Sequence, residues 1–138
     1  MNTVFNTLSN FFVGRPSSVA AVDEIERQES ISLPDDYRRL LLDHGAGEGF
    51  VGEQYFILWD ASEVTQFNIE YESKKYAPGF LLIGSNGGGE GFAYDFRSQE
   101  RPVVMLPFVG MSVKAAVKVS ESIAGLFDKM KRGHAPIF

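Results

Sequence analysis

The sequence predicts an α+β domain in which an antiparallel β-sheet meander is packed mainly on one face by helices. Two observations lead to this prediction. Segments with helical periodicity dominate the first half of the chain, and three apolar runs rich in β-formers then follow one another with only short turns between them. The resulting order is helix, helix, strand, helix, strand, strand, strand, helix, which lacks the regular alternation that produces a parallel sheet.

Residues 80–96 predict the central hairpin of this sheet, because two apolar runs flank a glycine-rich turn. The turn region holds five of the fourteen glycines of the chain, namely Gly84, Gly87, Gly88, Gly89 and Gly91. Glycine reaches positive φ without a Cβ clash, and the pair Asn86-Gly87 is favoured in tight turns. The same turn can present backbone amides to an anion. A small-ligand or nucleotide-binding module that uses Gly84–Gly91 is therefore the alternative function.

Helix starts are indicated by capping residues that precede apolar stripes. The predicted starts are Ser17 or Ser18, Pro34 with Asp35 and Asp36 behind it, Asp60, and Ser120. The first helix is an acidic surface helix, and the second ends by Gly45. The other strands are expected at Tyr55–Trp59 and at residues 102–106. Residues 108–119 fit either a short edge strand or irregular chain.

The length of 138 residues fits a single domain over residues 1–138. We expect residues 1–14 to form an N-terminal helix or arm, with the core over residues 17–132. Phe5, Leu8 and Phe12 follow a helical stripe, and the absence of Lys and Arg before Arg15 favours packing onto the domain over a membrane anchor. The chain has no cysteine, as is common in a reducing compartment, so a cytoplasmic location is expected.

Charge is distributed unevenly along the chain. Residues 1–72 carry 13 acidic and 4 basic side chains, whereas residues 73–138 carry 5 acidic and 9 basic ones. An acidic front half is poorly suited to binding nucleic acid directly and well suited to binding a basic protein. Solvated helix faces would explain the same asymmetry, unless the acids cluster in the folded domain.

Motifs for catalysis or cofactor binding are missing from the sequence, so we expect no catalytic residue, cofactor or metal site. Gly47, Gly49 and Gly52 match the G-x-G-x-x-G pattern, but a helix enters this segment and a strand leaves it, the reverse of a dinucleotide fold. The most plausible role for His44 is to interact with the C-terminal end of its helix. His134 is expected to be exposed, and Glu90 and Asp95 are lone carboxylates beside turns.

Several stretches, taken in order, resemble the SMI/KNR family of the SUKH superfamily. They are an acidic first helix with Glu26, the run Ile31-Ser32-Leu33-Pro34-Asp35-Asp36-Tyr37-Arg38-Arg39-Leu40-Leu41, Gly45 at the end of that helix, the hairpin segment Ile83–Asp95, and Val119–Phe127. The resemblance extends from about Ser17 to Lys131 and depends on the order and spacing of these motifs. It implies a non-enzymatic binding domain. Bacterial members of the family include immunity proteins that bind and neutralise a cognate toxin domain, often a nuclease.

A protein partner, specifically a toxin domain, is therefore expected, with neither a membrane nor nucleic acid bound directly. Acidic side chains around aromatic anchors would steer a basic partner onto this surface. The candidate partner-binding residues are Glu48, Phe50, Glu53, Tyr55, Glu70, Glu72, Asn86 and Glu90. The first six would form an acidic rim around aromatic anchors if they share one face, and the last two belong to the glycine turn.

Overall fold

The computed structural model describes residues 13–133, which form seven strands and five helices. In chain order these are β1 (Val13–Arg15), α1 (Val19–Glu29), α2 (Asp35–Asp43), β2 (Ala46–Val51), β3 (Gln54–Leu58), α3 (Ala61–Glu70), α4 (Ser73–Tyr76), β4 (Phe80–Ser85), β5 (Glu90–Asp95), β6 (Val103–Pro107), β7 (Val117–Ser120) and α5 (Ile123–Lys131). The predicted stripe of Phe5, Leu8 and Phe12 lies outside the described residues.

The strands form one antiparallel sheet in the order β1-β2-β3-β4-β5-β6-β7. This confirms the predicted α+β meander and its central hairpin. The predicted element order was wrong in omitting β1, β2 and the short helix α4. Gly47 and Gly49 occupy two of the six positions of β2, and glycine has a low strand propensity, so pairing with β3 and β1 defines this strand.

One face of the sheet, here called the inner face, carries the aromatic core beneath α2 and α5. Phe56 stacks on Phe92 with ring centroids 4.7 Å apart, and Phe127 of α5 meets Phe56 edge-on at 4.9 Å. Tyr37 of α2 packs against Tyr94 of β5 at 5.5 Å. Burial raises the pKa of both tyrosine hydroxyls far above the ordinary value. These contacts fix α2 and α5 to the strands that also carry the outer face.

The sheet is weakly joined between β3 and β4, where Ile57–Ser85 and Leu58–Gly84 pair and the Trp59 N–H donates to the Ile83 carbonyl at 3.1 Å. Beyond these pairs a side chain takes the place of a neighbouring strand. Asn68 of α3 donates to the Leu82 carbonyl at 2.9 Å and accepts from the Leu82 N–H at 2.9 Å. The Leu82 N–H and carbonyl at the edge of β4 therefore have hydrogen-bond partners, and these bonds hold α3 against the sheet.

Three of the four predicted helix starts are confirmed. Ser18 caps α1 by accepting from the Ala21 N–H, Pro34 precedes α2, and Asp60 accepts from the Ser62 N–H at α3. The prediction for Ser120 was wrong. Ser120 is the buried last residue of β7, and Ser122 caps α5 by accepting from the Gly125 N–H. Ser122 lies two residues closer to the apolar stripe of α5 and has the extended φ and ψ that an N-cap requires.

Residues 108–119 combine the two predicted alternatives. Residues 108–116 are irregular, and the edge strand β7 begins at Val117. Across residues 13–133, none of the helices has both the length and the apolar composition needed to span a bilayer.

Candidate functional site

The sheet face opposite α2 and α5, here called the outer face, presents an exposed aromatic pair on β2 and β3. Phe50 lies directly across from Tyr55 in the ladder, with ring centroids 5.0 Å apart in an edge-to-face arrangement. The Tyr55 hydroxyl donates to the Glu48 carboxylate, which raises the pKa of Tyr55. Phe50 remains 56% exposed. The structure therefore brings together three of the predicted site residues.

The glycine turn lies beside this pair. A Cβ at position 87 would be 3.4 Å from the Tyr55 ring, so the turn is in contact distance of the aromatic pair. Asn86 donates its side-chain amide to the Glu90 carboxylate at 2.8 Å. Both predicted turn residues thus border the outer face.

The backbone amides of the turn are largely used within the turn itself. The Asn86 side-chain oxygen accepts from the N–H groups of Gly88 at 2.8 Å and Glu90 at 3.3 Å, and the Ser85 hydroxyl accepts from Gly87 N–H at 3.2 Å. An anion would have to displace these bonds and would meet the Glu90 carboxylate. The turn therefore uses these backbone N–H groups in its own hydrogen bonds, which leaves them unavailable to an anion.

An aromatic stack continues the outer face from the turn toward α3. Phe108 donates its backbone N–H to the Gly89 carbonyl at 2.9 Å, and its ring covers Gly91. Tyr71 stacks on Phe108 at 4.2 Å with an interplanar angle of 13°, and Trp59 lies parallel to Tyr71 at 6.1 Å. We call Trp59, Tyr71 and Phe108 the aromatic stack.

Sequence reasoning did not identify the aromatic stack. Neither Tyr71 nor Phe108 is singled out by its sequence pattern, and Phe108 lies in the segment that fits either a short edge strand or irregular chain. The available signal was Gly91 inside a strand, because such a glycine often marks the close approach of another group. A Cβ at this position would lie 2.8 Å from the Phe108 ring.

The remaining predicted acids do not join the Phe50–Tyr55 pair directly. Glu70 and Glu72 flank Tyr71 at the end of α3, beside the aromatic stack, and both are exposed. Glu72 also lines a cavity between α1 and α3. Glu53 is exposed in the turn between β2 and β3. The predicted residues therefore follow the outer face and its margins and do not form one compact cluster.

The family of this chain follows from a comparison of its sequence with known families. Residues 16–129 match the profile of the SMI1 / KNR4 family (SUKH-1). The chain belongs to this family. The match covers α1 to α5 and confirms the resemblance found in the motifs, while no curated protein matches the sequence.

The acidic motif residues of this SUKH-1 domain hold its helices together. Glu26 accepts from the Leu33 N–H at 2.8 Å and pairs with Arg38, which also pairs with Asp23 at 2.9 Å. Asp36 accepts from the Ala124 N–H at 3.0 Å at the start of α5. These acids stabilise the positive end of a helix or neutralise an arginine, so their role in the fold is sufficient to explain them.

The unneutralised acids of the SUKH-1 domain lie elsewhere. Within residues 13–133, no ion pair is formed by the predicted site acids Glu48, Glu53, Glu70, Glu72 and Glu90. The acids of α1, by contrast, pair with arginines or with Lys74. Asp35, Asp36 and Asp43 of α2 and Asp60 and Glu63 at the start of α3 likewise form no ion pair among the described residues, so the outer face and its margins carry part of the negative surplus of the front half.

Asp95 and Glu90, the two lone carboxylates beside turns, are engaged in structural contacts. Arg97 binds Asp95 through two hydrogen bonds of 3.0 and 2.9 Å, and this pairing lowers the pKa of Asp95. Glu90 accepts from Asn86. In the described part of the chain, no three His, Asp or Glu side chains are grouped so as to hold a metal ion.

Proposed function

We propose that this protein is a non-catalytic immunity protein that binds a cognate toxin domain, such as a nuclease, and neutralises it by occlusion. Its family membership supports binding to a protein partner. The observation that carries the proposal is Phe50, which is 56% exposed yet held edge-on against Tyr55 on paired strands. Large apolar side chains displayed in this way are typical anchors of protein interfaces.

The outer face has the organisation expected of an interface for a basic protein. Phe50 and Tyr55 provide the anchor, Glu48 contacts it, and Glu70 and Glu72 lie beside the aromatic stack. Rim charges of one sign raise the association rate with an oppositely charged surface. The substrate cleft of a nuclease is basic because it binds phosphates, so the acidic face can cover it.

The outer face requires little rearrangement to bind. β2 and β3 are paired over five residues, and the Asn86–Glu90 bond fixes the adjacent turn. A surface carried by strands loses less conformational entropy on binding than a mobile loop does. Inhibition then follows from covering the toxin surface, with no chemical step.

Co-expression with the product of the adjacent reading frame tests this proposal. We expect the two proteins to co-purify and the toxic activity of the neighbour to be suppressed when this protein is present. Complex formation should slow as salt is raised, because counterions screen the acidic rim. Failure of the neighbour to bind, together with unchanged toxicity, would remove the proposal.

A thermal-shift screen against nucleotides tests the alternative module at the glycine turn. We expect no ligand-dependent rise in Tm, since Asn86 and Ser85 already accept the amide hydrogens that a phosphate would need. A saturable rise that is lost in Asn86→Ala would favour the alternative.

A further inference from the structure

A cavity of about 320 Å³ lies between α1 and the α3–α4 segment, away from the Phe50–Tyr55 pair. Its walls are formed by Gln28, Glu29, Thr65, Asn68, Ile69, Glu72, Lys74 and Lys75. The wall thus offers two carboxylates, two lysine side chains and an exposed isoleucine. The Asn68 amide is already committed to Leu82, Val64 and Ser73.

Glu29 is the unusual residue of this cavity. Its carboxylate side chain is only 9% exposed. Its recorded partner is Lys74, with an N–O distance of 3.7 Å, which exceeds hydrogen-bond distance. Within residues 13–133 no hydrogen bond is donated to the Glu29 carboxylate, and its oxygens are not among the buried side-chain atoms that lack a hydrogen bond, so solvent reaches them through the cavity.

Lys74 is a weak internal partner for this carboxylate. Its side chain is 77% exposed and lies on the short helix α4, so it can swing into solvent at little cost. Lys74 and Glu29 also line a second cavity of about 150 Å³, whose other walls include Ile31, Phe80 and Phe96. The Glu29 carboxylate is therefore flanked by open space on two sides.

We propose that this cavity binds a guanidinium group, with Glu29 as its principal acceptor and Glu72 at the mouth. The planar fork of a guanidinium can donate two parallel hydrogen bonds to one carboxylate, which the ammonium of Lys74 at 3.7 Å does not do. The ligand displaces Lys74 and solvent from the Glu29 carboxylate. Ile69 and Thr65 line the path of its aliphatic stem.

The site is tested with N-acetyl-arginine methylamide as the probe. Titration into isotopically labelled protein should shift the backbone amide signals of Gln28, Thr65 and Ile69 in a saturable manner. N-acetyl-citrulline methylamide has nearly the same shape without the charge and should bind at least about tenfold more weakly. Equal shifts with both probes, or shifts that do not saturate, would overturn the proposal.

Two substitutions with opposite expected effects on binding identify the acceptor of the guanidinium hydrogen bonds. Glu29→Gln should weaken binding of the arginine probe about tenfold, because it removes the charge and keeps the shape. Glu63→Gln is the matched control, since it removes an exposed carboxylate of α3 that lines neither cavity. Lys74→Met should strengthen binding by removing the internal competitor. Unchanged binding in Glu29→Gln, or weaker binding in Lys74→Met, would contradict the assignment.

The source of the guanidinium is decided by comparing the capped probe with free arginine. Tighter binding of the capped amide indicates an arginine within a protein chain, whereas tighter binding of free arginine indicates a small metabolite. Either preference supports the site, and absence of binding by both refutes it. Because the titration uses no toxin, its result is independent of the proposed immunity function.

Discussion

At the scale of single residues, Asn68 links the helical layer to the sheet. Its amide nitrogen donates to the carbonyls of Val64 and Leu82, and its oxygen accepts from the Leu82 N–H and the Ser73 hydroxyl. The side chain is 4% exposed. No other amino acid of similar size can donate and accept in this way, since it pairs with an open strand edge as a backbone unit would.

Asn68→Leu should destabilise the protein by about 2–4 kcal/mol, because it leaves the Leu82 N–H and carbonyl buried without partners. Urea unfolding measures the change. Gln66→Leu, which removes an exposed amide from the same helix, should alter the unfolding free energy by less than about 0.5 kcal/mol. Equal effects of the two substitutions would show that the strand edge does not depend on Asn68.

The ionisation of Asp95 makes the free energy of unfolding depend on pH. Its hydrogen bonds from Arg97 lower its pKa below the ordinary value of 3.8, so the folded state favours the ionised form. The resulting stabilisation is fully present above that value and is lost as the pH falls through it toward the lowered pKa. In urea unfolding, the stability gap between wild type and Asp95→Asn should narrow below about pH 4. A gap that stays constant from pH 6 to pH 3 would contradict this prediction.

At the scale of elements, the β4–β5 hairpin contains glycines with two different structural roles. Gly91 lies under the Phe108 ring, where a Cβ would be 2.8 Å from a ring carbon, whereas Gly88 meets only the Asn86 side chain at 3.5 Å. The turn glycines were expected to supply positive φ, and Gly87 and Gly89 do so with φ of 77° and 107°. Gly91 serves the internal packing of the aromatic stack instead.

Gly91→Ala should cost about 1–3 kcal/mol and displace Phe108 from Tyr71, because the added methyl overlaps the ring. Gly88→Ala is the matched control and should change the unfolding free energy by less than about 0.5 kcal/mol. Trp59 is the single tryptophan and lies parallel to Tyr71, so its near-UV circular dichroism reports the stack. An unchanged spectrum in Gly91→Ala would argue against this packing.

Elements specified by local sequence were the ones that could be predicted. The caps at Ser18 and Asp60 act within three residues, and the hairpin at residues 80–96 contains its own turn. β1 pairs with residues more than thirty positions away, and β2 is rich in glycine, so neither has a local signature.

The same distinction applies to the candidate site: contacts between neighbouring strands could be predicted, and contacts made by the tertiary fold could not. Glu48, Phe50 and Tyr55 meet because a two-residue turn joins their strands, which brings positions close in sequence together in space. Tyr71 and Phe108 meet only through the tertiary fold, so their contact has no sequence pattern. Glu29 was expected to face outward, and its burial depends on how α4 packs beside α1.

At the scale of the whole molecule, part of the negative charge of the front half lies along the outer face without a basic partner. The acids of α1 are partnered, while those along the outer face form no ion pair within residues 13–133. This arrangement favours electrostatic steering toward a basic partner and predicts that its strength falls with salt.

Charge reversal on the outer face should slow association with the toxin. Glu70→Lys or Glu72→Lys beside the aromatic stack should lower the association rate constant several-fold at low salt, with the difference shrinking at high salt. Glu100→Lys, in the turn between β5 and β6, changes the net charge equally and should have a smaller effect. Stopped-flow mixing measures these rates. Equal slowing by all three variants would indicate only a net-charge effect.

The dissociation constant of the complex with the neighbour-encoded protein tests the central claim most directly. Phe50 and Val117 are both exposed apolar residues, 56% and 50% exposed, but Val117 lies on β7 at the far edge of the sheet. We predict that Phe50→Ala weakens binding at least about tenfold, whereas Val117→Ala changes it less than about twofold. Equal affinities for the two variants, or a greater loss in Val117→Ala, would contradict the assignment of the outer face as the binding surface.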